Sequence, residues 1–408
     1  MQDIEVESKN GILLRATQIS FCFYLFYCFF EPYINIAIGQ FGRYIIFIVI
    51  IQIIITHKKV AIRWYHVSLV IWLLLKIVSI YWVGYNYIVS IHLVSQIGML
   101  GLYLTVNAFK LEYEYSQLAK KTLLYSSFLM GFLSLFFSQS FAGRFDTRQV
   151  LTIMNVQLDP NNQAAFLVVG IAIAIHELMI KKNRNSRIVF YVGAIIINIY
   201  SVLLTGSRGA LVSLALVIFV AFVLIQKSDE NKIQNIVKKL VQITGLFFLA
   251  YVVTKQFLPE EIYQRLFNFN SYSGGSERTT IWKNVIGLFY ENPLIGGGWG
   301  SFWGYNDNHM AVHNTYLAEL TDAGIVGLAL FLAPPIYIVL TSLKNKYILP
   351  ILLLISGYVP SFFLDAANKR FFWNSLIISL MMLEIHLRQK RVDNKNKQNE
   401  GGESFDQV

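Results

Sequence analysis

Residues 188–226 read IVFYVGAIIINIYSVLLTGSRGALVSLALVIFVAFVLIQ, which is two apolar runs joined by a short polar segment. Each run is close to the roughly 20 residues that a helix needs to cross a bilayer. The whole chain has the same character, because 55% of its 408 residues are hydrophobic and only 14% are charged, with a mean hydropathy of +0.51. This composition excludes a water-soluble globule and predicts an integral membrane protein.

Similar apolar stretches along the chain predict an all-α polytopic membrane protein with about 12 transmembrane helices. The stretches lie near residues 12–30, 34–55, 64–83, 87–108, 120–140, 161–180, 188–206, 209–226, 237–257, 315–343, 347–364 and 370–387. We divide the chain into helices 1–9 (residues 1–257), a long connecting loop (258–314), helices 10–12 (315–387) and a disordered tail (388–408).

The placement of Lys and Arg predicts the orientation. The net charge is +10, and most of the cations fall in every second connection, which is the pattern of segments that stay in the cytoplasm. Both termini are therefore predicted to be cytoplasmic in a plasma membrane, and the loop 258–314 to be extracytoplasmic. We expect no nucleic-acid partner, and the absence of GxxxxGK[ST] and GxGxxG motifs argues against use of ATP or a nucleotide sugar.

Two cations, Arg43 and Lys76, lie within predicted helices, in the halves nearest the outside. A charge inside a membrane is costly unless it is paired or lines a wet cavity, so both residues are candidates for binding substrate. The simpler alternative is that these long side chains reach the outer headgroups.

The polar segment at residues 205–209, Thr-Gly-Ser-Arg-Gly, joins two predicted helices at the outer surface. Ser207 is suited to cap the following helix, and Arg208 falls in its first turn, where backbone N–H groups already favour an anion. The segment therefore predicts a phosphate site, with an interfacial contact of Arg208 to lipid headgroups as the alternative.

In the long loop, residues 276–290 predict an amphipathic helix that lies along the membrane surface. Trp282 belongs to its apolar face, whereas Arg278 lies near its start and Lys283 on its polar side. This helix is placed to cover a cavity that opens towards the lipid.

The loop ends in Val-His-Asn-Thr-Tyr at residues 312–316, at the start of another predicted helix. The imidazole of His313 is a suitable general base for a hydroxyl group, or a hydrogen-bond donor to a ligand. A lone histidine at a membrane surface also occurs without a catalytic role.

The ordered set of Ser207-Arg208-Gly209, Arg278 before Trp282, Asn292-Pro293-Leu294-Ile295-Gly296 and His313-Asn314-Thr315-Tyr316-Leu317 resembles the O-antigen ligase and polymerase superfamily. Gly324-Ile325-Val326-Gly327 and Asp159-Pro160-Asn161-Asn162 are also similar to family patterns, and the latter adds Arg144 and Arg148 just upstream. The resemblance covers about residues 200–330.

The resemblance implies a glycosyltransferase C-like membrane enzyme that uses neither a metal nor a cofactor. Its donor would be an oligosaccharide linked to undecaprenyl diphosphate, with membrane lipid around it and a chain-length regulator as a further candidate partner. By this analogy Arg208 and Arg278 hold the diphosphate and His313 accepts the proton of the attacking hydroxyl, with inversion at the anomeric carbon. The remaining candidates for substrate binding are Arg144, Arg148, Lys76, Arg43, Asn314, Tyr316, Trp282 and Lys283.

Three functions remain open from the sequence. A polymerase passes the glycan to another lipid-linked repeat unit of an O-antigen, capsule or exopolysaccharide, whereas a ligase passes it to lipid A core or another acceptor. A composition rich in Lys, Ile, Asn and Tyr hints at a source without lipopolysaccharide and favours the polymerase. The alternative of another class is a flippase for lipid-linked sugar, which would need ionisable groups near the bilayer midplane.

Overall fold

The computed structural model describes residues 2–38, 41–141, 148–180, 185–224, 255–267, 274–305 and 311–402, together with residues 241 and 244. Within these ranges the protein is predominantly helical. Its first eight helices are α1 (Gln2–Ile38), α2 (Gly42–Thr56), α3 (Trp64–Val83), α4 (Tyr87–Ala108), α5 (Tyr113–Phe137), α6 (Pro160–Ile180), α7 (Asn185–Leu204) and α8 (Arg208–Leu224). The later helices are α9 (Glu260–Phe267), α10 (Gly274–Glu291), α11 (Ser301–Tyr305), α12 (Thr315–Asn345), α13 (Leu349–Tyr358) and α14 (Arg370–Gly402), with a 3-10 turn at Pro360–Phe362.

Six helices of the described residues are long and apolar enough to cross a membrane, and three further apolar helices are shorter. The chain is thus a helical multi-pass membrane protein, whereas the count of about 12 spans stays a prediction. The predicted span 237–257 lies outside the described residues, apart from residues 241, 244 and 255–257.

Helix α6 lies at the centre of the bundle, and 83% of its most apolar 18-residue stretch is buried. Gly170 explains how closely its neighbours approach, because a Cβ there would lie 2.2 Å from Ser127 Oγ of α5. Ser127 Oγ in turn accepts a hydrogen bond from Asn198 Nδ2 of α7 at 2.9 Å. Small residues at such crossings let membrane helices pack backbone to backbone.

The sequence analysis did not predict the three-stranded antiparallel sheet between α5 and α6. The strands β1 (Ser138–Ser140), β2 (Gln149–Ile153) and β3 (Val156–Gln157) pair in the order β1-β2-β3. Met154 and Asn155 have φ of 50° and 61°, as a tight hairpin turn requires. The buried sheet residue Leu151 receives a hydrogen bond from Tyr33 of α1 and donates one to Gln163 of α6, which fixes the sheet on this end of the bundle.

Two predicted boundaries differ from those of the structure. The first break lies later in the chain than the predicted residues 31–33, because α1 continues past Pro32 to Ile38 and α2 begins at Gly42. The buried Phe29, Phe30 and Tyr33 hold α1 in the core. The tail predicted to be disordered is helical as far as Gly402. Its first four residues, Arg-Gln-Lys-Arg at 388–391, are good helix formers, and a helix that is already nucleated in the bundle extends at little cost. Residues 403–408 lie outside the described residues.

Candidate active site

Arg208 is the first residue of α8, and the segment before it is shaped to place its guanidinium. Ser207 Oγ accepts from the backbone N–H of Ala210 at 3.3 Å, which caps the helix, and Gly206 has φ +58°. Arg208 Nε and Nη2 donate to the carbonyl oxygen of Arg265 at 3.0 and 2.6 Å. Residue 265 belongs to α9, so the helix start is connected to the long loop through this arginine.

Gly206 lies between two further arginines. A Cβ at Gly206 would lie 3.0 Å from Arg148 Cγ and 3.1 Å from Arg265 Cδ. Arg265 Nε also donates to the carbonyl oxygen of Gly206 at 3.4 Å. The sequence analysis named Arg148 but missed Arg265, because nothing in α9 itself indicates that its arginine meets a segment more than 50 residues earlier.

Arg278 on α10 completes what we call the arginine cluster: Arg148, Arg208, Arg265 and Arg278. Its guanidinium is half-buried, and burial together with the charges of Arg148 and Arg208 lowers its pKa, while Asp365 opposes the shift. A guanidinium stays protonated even so, and the result is a concentration of positive charge that favours an anion.

Asp365 connects His313 to this cluster, because it interacts with both His313 and Arg278. The backbone N–H of His313 donates to Asp365 Oδ2 at 3.1 Å, and His313 has φ +53°, a left-handed conformation that a histidine seldom adopts. Burial raises the pKa of Asp365, whereas the His313 N–H and the charges of His313 and Lys369 oppose that rise. Since Asp365 also acts on Arg278, one carboxylate borders both the imidazole and the cations.

Three of the predicted substrate-binding residues hold the turn at His313. Trp282 Nε1 donates to the carbonyl oxygen of Val312 at 3.0 Å. Asn314 caps α12, since its Oδ1 accepts from the N–H groups of residues 316 and 317. The hydroxyl of Tyr316 donates to the carbonyl oxygen of Tyr358 at 2.6 Å. Direct binding of substrate by these three side chains stays a prediction.

The loop after α10 is bonded to α12 through the backbone. Gly324 breaks α12 with φ +66°, and the freed N–H groups of Ile325 and Val326 donate to the carbonyl oxygens of Pro293 and Leu294 at 2.9 and 3.1 Å. In return, the N–H groups of residues 297 and 298 donate to carbonyl oxygens of residues 321 and 322. The helix that carries Arg278 and the helix that follows His313 are therefore joined.

Lys76 is buried rather than open to the outside. Its Nζ lies 2.8 Å from Glu319 Oε1 and 3.5 Å from Asp322 Oδ2, and 2% of the residue is exposed. Trp72 Nε1 donates to Glu319 as well, at 2.7 Å. The ion cluster borders a cavity of about 60 Å³ that Asp365 also lines. The described contacts thus give Lys76 a part in joining α3 to α12.

The remaining predicted residues lie apart from one another. Lys283 is exposed on α10, Arg43 lines a separate cavity at the start of α2, and Arg144 lies outside the described residues. Within the described ranges, no group of three or more His, Cys, Asp or Glu side chains converges as a metal site. Independence from metal stays a prediction.

The fold and the site together define a class of protein. It is a multi-pass helical membrane protein in which a cluster of arginines lies beside a histidine. Residues 193–332 match the family model described as O-Antigen ligase, and this match supports the O-antigen ligase and polymerase superfamily that the motifs resemble. The match covers about a third of the 408 residues and supports a membrane transferase. It includes Arg208, Arg265, Arg278 and His313, whereas Arg148 and Asp365 lie outside it. A comparison with curated proteins found no match.

Proposed function

We propose that the protein is a polysaccharide repeat-unit polymerase of the plasma membrane. It transfers a glycan from undecaprenyl diphosphate to a sugar hydroxyl of another lipid-linked repeat unit, on the outer face, with both termini in the cytoplasm. The observation that carries the proposal is that Arg278 interacts both with the other arginines and with the His313 turn. The charges of Arg148 and Arg208 lower its pKa, and the opposing charge comes from Asp365, which accepts the N–H of His313.

The arrangement suits a reaction in which a diphosphate leaves. The bond between the anomeric carbon and the diphosphate oxygen breaks, and negative charge grows on that oxygen. Cations held in place by the fold stabilise this charge more strongly in the transition state than in the ground state. The arginine cluster supplies such cations from four separate segments of the chain.

His313 supplies the base. The acceptor hydroxyl attacks the anomeric carbon from the face opposite the diphosphate and gives its proton to the imidazole, so that the configuration inverts. Asp365 acts as a positioning residue, because it holds the backbone of His313 in its left-handed conformation.

Two alternatives are separated by the acceptor and by the side of the membrane. A ligase would use the same arginines and histidine and pass the glycan to lipid A core or another acceptor. A flippase gains some support from Lys76, Glu319 and Asp322, which are buried ionisable groups inside the bundle. The charges of the arginine cluster and His313 belong to a single end of the bundle, which favours a transferase over the flippase. The composition rich in Lys, Ile, Asn and Tyr favours the polymerase over the ligase.

The test is the length distribution of glycan on the lipid carrier in the source strain. We compare wild type, a deletion, Arg278→Ala and the control Lys255→Ala, which removes an exposed cation. Single repeat units in the deletion and in Arg278→Ala, with normal chains in the control, support a polymerase. Long chains that accumulate on the carrier indicate a ligase, and repeat units that external enzymes cannot reach indicate a flippase.

A further inference from the structure

A second cavity lies where α1, α2, α4, α6 and α14 meet. Its volume is about 460 Å³, within the range typical of sites for small ligands. None of the arginine cluster lines it, so it is distinct from the candidate active site.

The cavity is positively charged. Arg43, Lys369 and Arg370 line it, with Glu31 as its one carboxylate. Glu31 is bound by both Nε and Nη2 of Arg370. Arg43 and Lys369 form no ion pair with any residue that the structure describes, so the charge of the cavity is left for an anion.

The guanidinium of Arg370 packs closely against the backbone of Gly42. A Cβ at Gly42 would lie 2.5 Å from Arg370 Nη2 and 2.7 Å from the hydroxyl oxygen of Tyr27, so a larger residue there would displace the guanidinium or the tyrosine ring. Asn368 beside it has a buried Oδ1 that accepts no hydrogen bond from the described residues. An acceptor of this kind can take a bond from a bound hydroxyl group.

The cavity also has apolar lining residues, two of which are exposed at the surface of the bundle. Ile46, Phe47 and Val94 are among them, and Phe47 and Val94 are 51% and 48% exposed on the surface that lipid would cover. A cationic end next to an apolar, lipid-facing wall matches a lipid whose head carries phosphate.

The cavity also borders both parts of the candidate active site. Asn162 at the start of α6 lines it, and the preceding Asn161 accepts a hydrogen bond from Ser207 Oγ at 2.9 Å, directly before Arg208. On the other side, Lys369 is close enough to Asp365 to influence its ionisation. A lipid held here would have its glycan near His313.

We propose that this cavity binds the diphosphate of the acceptor, the second lipid-linked substrate. The inference rests on the proposed function, because a polymerase joins two substrates that both carry a diphosphate and must hold them at the same time. The arginine cluster holds the diphosphate that leaves, and Arg43 and Lys369 hold the one that stays. The apolar wall between α2 and α4 takes the polyprenyl chain.

Native mass spectrometry of the purified full-length protein with undecaprenyl diphosphate tests the proposal. Wild type is expected to bind two equivalents. Arg43→Gln with Lys369→Gln is expected to weaken one equivalent at least tenfold, whereas the charge-preserving Arg43→Lys with Lys369→Arg retains it. Arg208→Gln with Arg278→Gln removes the other equivalent, and the control Lys344→Gln keeps both.

Competition identifies the lipid. An excess of phosphatidylglycerol is expected to leave both equivalents bound, and displacement of the second one would show a site for ordinary headgroups and overturn the proposal. Retention of two equivalents by Arg43→Gln with Lys369→Gln would overturn it as well. Because binding is counted without turnover, a failure of the polymerase assay with Arg278→Ala is a separate result that concerns the proposed function alone.

Discussion

At the scale of single residues, substitutions of His313 can remove the proposed base and still keep the conformation of the turn. Glutamine cannot accept the proton of a hydroxyl, so His313→Gln should lower turnover by about 10²- to 10⁴-fold. His313→Asn should do the same, although asparagine tolerates a positive φ and keeps the turn. Initial rates and the affinity for undecaprenyl diphosphate are measured together. An unchanged rate in either variant would show that the imidazole is not the base.

Asp365 makes a prediction about pH. Its pKa is raised in the folded protein, chiefly by burial, so the folded state binds a proton that the unfolded chain has already lost. Its contribution to stability is therefore present below its ordinary pKa of 3.8 and lost as the pH rises through the raised value. Asp365→Asn keeps an oxygen that accepts from the His313 N–H and removes this loss.

We expect the Tm of Asp365→Asn in detergent to rise relative to wild type as the pH increases above 3.8, the ordinary pKa of this group. The variant should bind undecaprenyl diphosphate as wild type does, which serves as the control for an intact site. A difference in Tm that shrinks over this range would contradict the assigned direction of the shift.

At the scale of elements, the break in α12 at Gly324 joins α10 to the His313 turn. A Cβ at Gly324 would lie 2.3 Å from the carbonyl oxygen of Leu294, and φ is +66°. Gly324→Ala should thus lower the free energy of unfolding by more than about 2 kcal/mol. Gly287→Ala on α10 is the matched control, because no atom lies within 4 Å of its added Cβ. Equal Tm values for Gly324→Ala and Gly287→Ala in thermal melts would refute the role of this junction.

At the scale of the whole molecule, four arginines from four segments form the arginine cluster, where we expect an anion to bind. An anion that binds only the folded state should raise the Tm. At a hundred times its Kd, it adds about 2.7 kcal/mol to the free energy of unfolding. Inorganic pyrophosphate is the probe, with sodium chloride at equal ionic strength as the control. The response should disappear in Arg208→Gln with Arg278→Gln, and a response that survives there would place the anion elsewhere.

Much of the fold could be predicted from the pattern of hydrophobic residues. The predicted segments 64–83 and 87–108 coincide with α3 and α4, because a membrane helix needs a long run of apolar residues that is easily read. The sheet at Ser138–Gln157 was missed, since its three short strands have no such signal. The predicted gap between the spans 12–30 and 34–55 was misplaced, because packing maintains α1 through Pro32 to Ile38.

The site was predictable only where neighbouring residues form a motif. Arg208, Arg278 and His313 each lie in a segment with its own pattern, and the family match contains all three. Asp365 and Arg265 have none, because their roles depend on contacts with segments about 50 residues away. The pairing of Lys76 with Glu319 joins residues 243 positions apart, and a single sequence does not show such a contact.

The break in α12 also bears on height above the membrane. The 31 residues of this helix would span about 46 Å, well beyond the roughly 30 Å of a hydrocarbon core. The part after Gly324 supplies about 30 Å alone, and the part before it rises about 14 Å further. In the proposed function, this height places His313 at the outer limit of the headgroups. A substrate then reacts with its glycan in water, its diphosphate at headgroup level and its tail still dissolved in the bilayer, so the growing polymer need never leave the membrane between additions.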